Sequence, residues 1–126
     1  MKGNERLQRL SGRDQAALVD FVSRLRRQFN HDNIQHVWVF GSKIRGKAEP
    51  DSDIDLLIVV HDYDWTLEKA MTRVAVEIDL TYDVVLSDHV VNAERYAQMA
   101  TRNEPLHRSI EREGVDLWKA ALQPTT

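Results

Sequence analysis

The chain has 126 residues, a formal net charge of -3, 42% hydrophobic and 29% charged residues, and no cysteine. That length suits one domain with one core. The acidic balance gives no electrostatic footprint for long nucleic acid or an anionic membrane, and the lack of cysteine removes disulfides and thiolate metal sites.

Residues 1–10 and 122–126 are expected as loose ends of a single domain spanning 1–126, with Leu7 and Leu10 as docking points. Ser11 with Asp14 reads as a helix N-cap, and Leu18, Val22, Leu25 and Phe29 follow at helical spacing, which predicts a helix over about 13–29. IQHVWVF (34–40) is a predicted strand by its β-branched and aromatic content. Gly41-Ser42 stops it, and a short helical turn is expected from Ser42. DIDLLIVV (53–60) is a second strand, apolar on both faces beyond Leu56 and therefore central in its sheet. Leu67, Ala70, Met71, Val74, Ala75 and Ile78 predict an amphipathic helix over about 65–79. TYDVVL (81–86) is expected as a third strand, and Ser87-Asp88 as the cap of a helix over about 88–101. Pro105 begins a short helix that Gly114 ends, and VDLWK (115–119) is a small final strand. The sum is a small α/β domain, a mixed sheet flanked by helices.

Asp53 and Asp55 raise a physical question. Residues i and i+2 of a strand point to the same side, roughly 6.5–7 Å apart. Two carboxylates there, against an apolar strand, repel each other and resist desolvation. A hard divalent cation removes the difficulty, and an all-oxygen donor set with places left for water and phosphate describes magnesium better than zinc. Asp83, in the expected third strand, is the candidate third ligand, and Asp79 is its rival. Upstream, Gly41 permits a backbone turn that other residues resist. Ser42 then presents a hydroxyl and backbone N–H groups suited to phosphate oxygens. Lys43, Arg45 and Lys47 add positive charge to the same loop, and Arg45 can hold a phosphate bidentately. Phosphate donors beside metal-binding carboxylates are what transfer from a nucleoside triphosphate requires.

The ordered set Gly41-Ser42, Arg45-Gly46 and DSDIDLL (51–57) resembles the signature of polymerase-β-type nucleotidyltransferases, and the small size resembles their minimal branch. SIEREGVDLW resembles the closing segment of such domains. The resemblance implies that Gly41 and Ser42 grip the triphosphate, that Arg45 contributes phosphate or nucleotide contacts, and that Asp53, Asp55 and Asp83 bind two Mg²⁺ ions. It implies that Asp83 also aligns the attacking hydroxyl, and that ATP is the nucleotide donor. It further implies an antitoxin that transfers AMP to a HEPN-type helical toxin, in a cytoplasmic hetero-oligomer.

Blander readings stand beside these. Lys43 and Lys47 are expected as solvated loop charges, Trp38 and Trp65 as core residues, Trp118 as a staple for the C-terminal segment, and the five histidines as surface or structural groups. Two other functions remain open. One is a non-catalytic antitoxin that neutralises by binding, with Val90, Val91, Tyr96 and Met99 as interface or core. The other is a small-molecule transferase of the aminoglycoside type, for which 126 residues offer no second substrate domain.

Overall fold

The computed structural model describes residues 2–119; the expected loose end at 122–126 lies outside them. Helix α1 is Lys2–Leu7, α2 is Gly12–Gln28, and a 3₁₀ turn occupies His31–Asn33. Strand β1 is Ile34–Phe40, the short helix α3 is Ser42–Arg45, and β2 is Ile54–Val60. Then come α4 (Trp65–Tyr82), β3 (Leu86–Asn92), α5 (Ala93–Thr101), α6 (Pro105–Glu113) and β4 (Val115–Asp116). The strands form one mixed sheet in the order β3-β2-β1-β4, in which β2 pairs antiparallel with β1 and parallel with β3.

Alternation along β2 divides the interior. Ile54, Leu56, Ile58 and Val60 face α2 and α4, where Leu18, Phe21, Leu25, Met71 and Ile78 complete the larger core. Leu57 and Val59 point the other way and pack with Phe40, Ile110, Trp38, Val91 and Tyr96 under α5 and α6. A strand covered on both faces must read as a continuous apolar run, which LLIVV does. Only at its first residues does this strand carry acids, so the sheet delivers Asp53 and Asp55 to its edge and nowhere else.

The helices begin where side chains satisfy their first N–H groups. Ser11 Oγ accepts from the Asp14 N–H at 3.0 Å, and Asp64 Oδ1 accepts from the Leu67 N–H at 2.7 Å. Residues 1–10, expected as a loose lead, contain α1, and Leu7 and Leu10 are both buried. Arg9 Nη1 donates to the Ile44 carbonyl at 3.2 Å, which ties this segment to α3. At the other end the Arg26 guanidinium lies 5.0 Å from the Trp118 ring centre and donates to the Trp118 carbonyl, so Trp118 does staple the C-terminal segment.

Two boundaries differ from the sequence expectation. TYDVVL is not a strand over 81–86: α4 runs on to Tyr82, Asp83 caps it at φ 56°, and β3 starts at Leu86. The helix expected over 88–101 begins at Ala93 instead, because the cap is Asn92, whose Oδ1 accepts from the Arg95 N–H at 2.7 Å, and not Ser87-Asp88. Replacing a capping Asn with Ala costs about 1 kcal/mol. Asn92→Ala should therefore lower stability by that amount in urea unfolding, while Ser87→Ala should not show a capping loss.

Candidate active site

Phe40, the last residue of β1, pairs with Asp55 across the sheet, so Gly41 leaves β1 directly beside the Asp55 carboxylate. Gly41 has φ 93° and ψ -167°, a region open essentially to glycine alone. A β-carbon there would lie 2.1 Å from Asp55 Oδ2. Glycine is thus required twice, by the turn and by the close approach of the acid. From this turn α3 makes one helical turn and closes on Gly46, which is left-handed at φ 75°. Ser42 heads α3 and is partly exposed.

The loop is fixed from below by acids that the sequence pattern does not single out. Glu113, on α6 and only 5% exposed, accepts from the Gly41 N–H and from Arg45 Nη1, both at 2.8 Å. Arg45 is therefore anchored as well as partly exposed, its side chain 44% accessible. Lys43 is not a solvated loop charge. Its Nζ donates to Asp14 Oδ2 at 2.8 Å and to the Pro50 carbonyl at 2.7 Å, which holds the 46–52 loop against α2. Lys47 is exposed, as expected.

Asp53 and Asp55 stand together at the start of β2. Burial raises the Asp55 carboxyl above the ordinary carboxylate value, the Asp53 charge raises it further, and His89 and Arg45 oppose the shift. Asp79, the rival third ligand, is half-buried and accepts from the Leu86 N–H at 2.8 Å, so it pins the start of β3. Burial also raises its pKa, against that hydrogen bond, with Asp88 and Asp53 adding to the rise.

Asp83 does not join the pair. Its side chain is fully exposed in the α4 cap, 3.7 Å from Arg13. It shares a shallow cavity of about 230 Å³ with Arg13, Asp14, Lys43, Asp51 and Ser52, a cavity that neither Asp53 nor Asp55 lines. Among the described residues no group of three His, Cys, Asp or Glu side chains is placed to hold a metal ion. The three expected carboxylates are not brought together because α4 is longer than its apolar pattern suggests, which leaves Asp83 ahead of β3. What the parallel register sets beside Asp55 is Ser87, and two residues on, opposite Leu57, His89. Asp53 and Asp55 offer the anionic oxygen donors that a hard cation takes, with room in such a donor set for phosphate oxygens and water.

Comparison with known proteins places the chain in a family. The family model described as polymerase beta, nucleotidyltransferase, matches residues 24–119, which include the Gly-Ser turn, both strand-start acids and the Glu113 segment. The chain belongs to the polymerase β nucleotidyltransferase family. A curated relative in this family, named "Putative protein adenylyltransferase MJ0604", from Methanocaldococcus jannaschii, is 29% identical over 102 residues, covering 80% of this chain and 94% of its own. "Probable protein adenylyltransferase MntA" of Haemophilus influenzae is 33% identical over 64 residues, 50% of this chain and 56% of that one. Among solved structures, a chain described as "Crystal structure of the toxin-antitoxin with AMP-PNP" superposes with a TM-score of 0.53 at 20% identity, covering 85% of this chain and 74% of that chain, a likeness of fold.

The remaining expectations fall out of the same geometry. Trp65 is not core: it is 65% exposed, with the Lys69 ammonium 5.8 Å from its ring centre. Val90 and Met99 are buried, and Val91 and Tyr96 are partly buried against the smaller core, which favours the core reading of that set. No helix among the described residues is long and apolar enough to cross a membrane.

Proposed function

We propose that this nucleotidyltransferase moves AMP from ATP to a hydroxyl of a partner protein in a Mg²⁺-dependent reaction, and that it serves as the antitoxin of a helical, HEPN-type toxin. The observation that carries the reading is the contact of Gly41 with Asp55, which sets the Gly41-Ser42 turn directly against the partly buried member of the acid pair. The protein adenylyltransferase names of the relatives support the acceptor class, and the toxin-antitoxin fold neighbour supports the partner class.

Asp53 and Asp55 would hold Mg²⁺, which supplies charge neutralisation on the triphosphate when bound. Ser42 and the free N–H groups of α3 would take phosphate oxygens. Glu113 would keep the Gly41 turn and Arg45 in one arrangement, so that no reorganisation is needed when charge develops. The acceptor oxygen forms a bond to the α-phosphorus, the bond from that phosphorus to the bridging oxygen breaks, and pyrophosphate leaves with the electron pair. The acceptor proton passes to a base or to water. Part of the acceptor surface would come from the partner, since the described residues form a single lobe of a four-stranded sheet and its helices.

One specific observation favours a second reading. The acid expected to align the acceptor, Asp83, sits apart from the pair. A chain with that departure could neutralise its partner by binding alone, with nucleotide as a ligand. The test is incubation of the chain and its copurifying protein with Mg²⁺ and ATP labelled at the α-phosphate. Label on the partner is expected. Absence of label, together with full neutralisation by an Asp53→Asn, Asp55→Asn variant, overturns the catalytic reading in favour of the binding one.

A further inference from the structure

We infer that this chain holds a single divalent cation with its nucleotide, because among the described residues Ser87 stands at the β3 position paired with Asp55, from which a third carboxylate could support a second ion. The inference rests on the metal-dependent reading above and narrows it. The parallel pairing fixes the place: Asp55 is opposite Ser87, Leu56 opposite Asp88 and Leu57 opposite His89. Leu86 and Val90 share the larger core with Leu56 and Ile58, so Ser87, His89 and Val91 lie on the Asp55 face. Asp88 is on the other face, where it accepts a hydrogen bond from Thr72 of α4 at 3.0 Å. Asp83 is held out at the α4 cap beside Arg13. Asp79, at the end of α4 and not on the Asp55 face of β3, accepts from the Leu86 N–H through Oδ1.

The acids around β3 therefore lie off the Asp55 face of that strand, and its in-face positions beside Asp55 and Leu57 carry a hydroxyl and an imidazole. Neither suits a second hard cation, which demands anionic oxygen in near-octahedral geometry. An ion beside Asp55 that did not sit on the triphosphate would have to draw its anionic oxygen from the protein, and the β3 positions on that face offer none. One ion, with Asp53 and Asp55 as its protein ligands, is what this donor set would hold.

Counting settles it. Manganese(II) serves as the probe, with an ATP analogue whose α and β phosphorus atoms are joined by a methylene group, so that no transfer occurs. Bound Mn²⁺ is read by electron paramagnetic resonance, relative to the analogue alone. The expected result is one ion per ternary complex, held at least tenfold less tightly by Asp55→Asn, and two ions in Ser87→Asp. Two ions in the wild-type complex overturn the inference and leave the metal reading intact. An affinity no better than that of the free analogue overturns the metal reading and this inference with it. A folded Ser87→Asp, by circular dichroism, that still holds one ion also overturns the inference. The wild-type count stands whether or not that variant folds.

Discussion

Asp55→Asn is expected to lower nucleotide transfer by about 10²-fold or more while raising the melting temperature of the ligand-free protein. The two effects share a cause. Asp55 is half-buried at the start of a strand that is otherwise apolar, with Asp53 beside it and Gly41 against its Oδ2. Burial and the neighbouring charge both penalise the ionised form, so its folded pKa lies above its unfolded one. A raised carboxyl binds its proton more tightly when folded. Its contribution favours the fold below the unfolded pKa and is lost as pH rises through the folded pKa, so at neutral pH the full penalty is present. Asn has nearly the same shape and no charge, and removes that penalty. It also removes an anionic ligand, and the loss of a few kcal/mol of transition-state stabilisation corresponds to the stated rate loss. Thermal scans at pH 7 and pH 4 check the first effect: the advantage of Asp55→Asn over wild type should shrink at the lower pH. Mg²⁺ with nucleotide should reverse the order at pH 7 by stabilising the wild type more than the variant. If the variant melts below wild type at pH 7 without ligand, the acid pair is not electrostatically frustrated and the account of the site is wrong.

Strands β1 and β2, helix α2 and the Gly41-Ser42 turn were legible in the sequence because each is specified locally. IQHVWVF and IDLLIVV read as strands whichever neighbours they find, and Ser11 announces α2 through its own hydrogen bond. The region after α4 was not legible for the opposite reason. Val84, Val85 and Leu86 look like a strand core, yet Tyr82 continues the helical stripe from Ile78, packs on the larger core and donates its hydroxyl to Asp20 at 2.8 Å. That long-range contact extends the helix, and its length then sets where β3 meets β2. Register is a tertiary quantity: a two-residue change would have put a different side chain beside Asp55. Ser87, His89 and the exclusion of Asp83 all depend on it. Glu113 was missed for a related reason. Its partners, Gly41 and Arg45, lie far earlier in the chain, at separations of 72 and 68 residues. The only local signal was an acid in REGVDLW, at the end of a helix where acids are disfavoured by the dipole.

Gly41→Ala should be strongly destabilising, and two separable terms predict it. The backbone term comes from φ 93° with ψ -167°, where any side chain costs about 1–3 kcal/mol. The steric term comes from the 2.1 Å separation between the new β-carbon and Asp55 Oδ2, which forces the carboxylate or the turn to move, at about 1–3 kcal/mol for overpacking. The turn is not free to yield, because its N–H is bonded to the buried Glu113 and α3 is tied by Arg9 to the N-terminal segment. The sum, about 2–6 kcal/mol, is a large part of the stability of a domain this size, and should appear as a fall in the urea midpoint with an unchanged slope. Adding Asp55→Ala to Gly41→Ala separates the terms. The double variant should recover the steric part and keep the backbone part, leaving it between Asp55→Ala and Gly41→Ala in stability, with transfer absent from both proteins that carry Gly41→Ala. Full recovery would mean that the turn carries no intrinsic strain. No recovery at all would mean that the Asp55 carboxylate does not lie against Gly41, and the joining of the phosphate turn to the acid pair, from which the proposed chemistry follows, would fall with it.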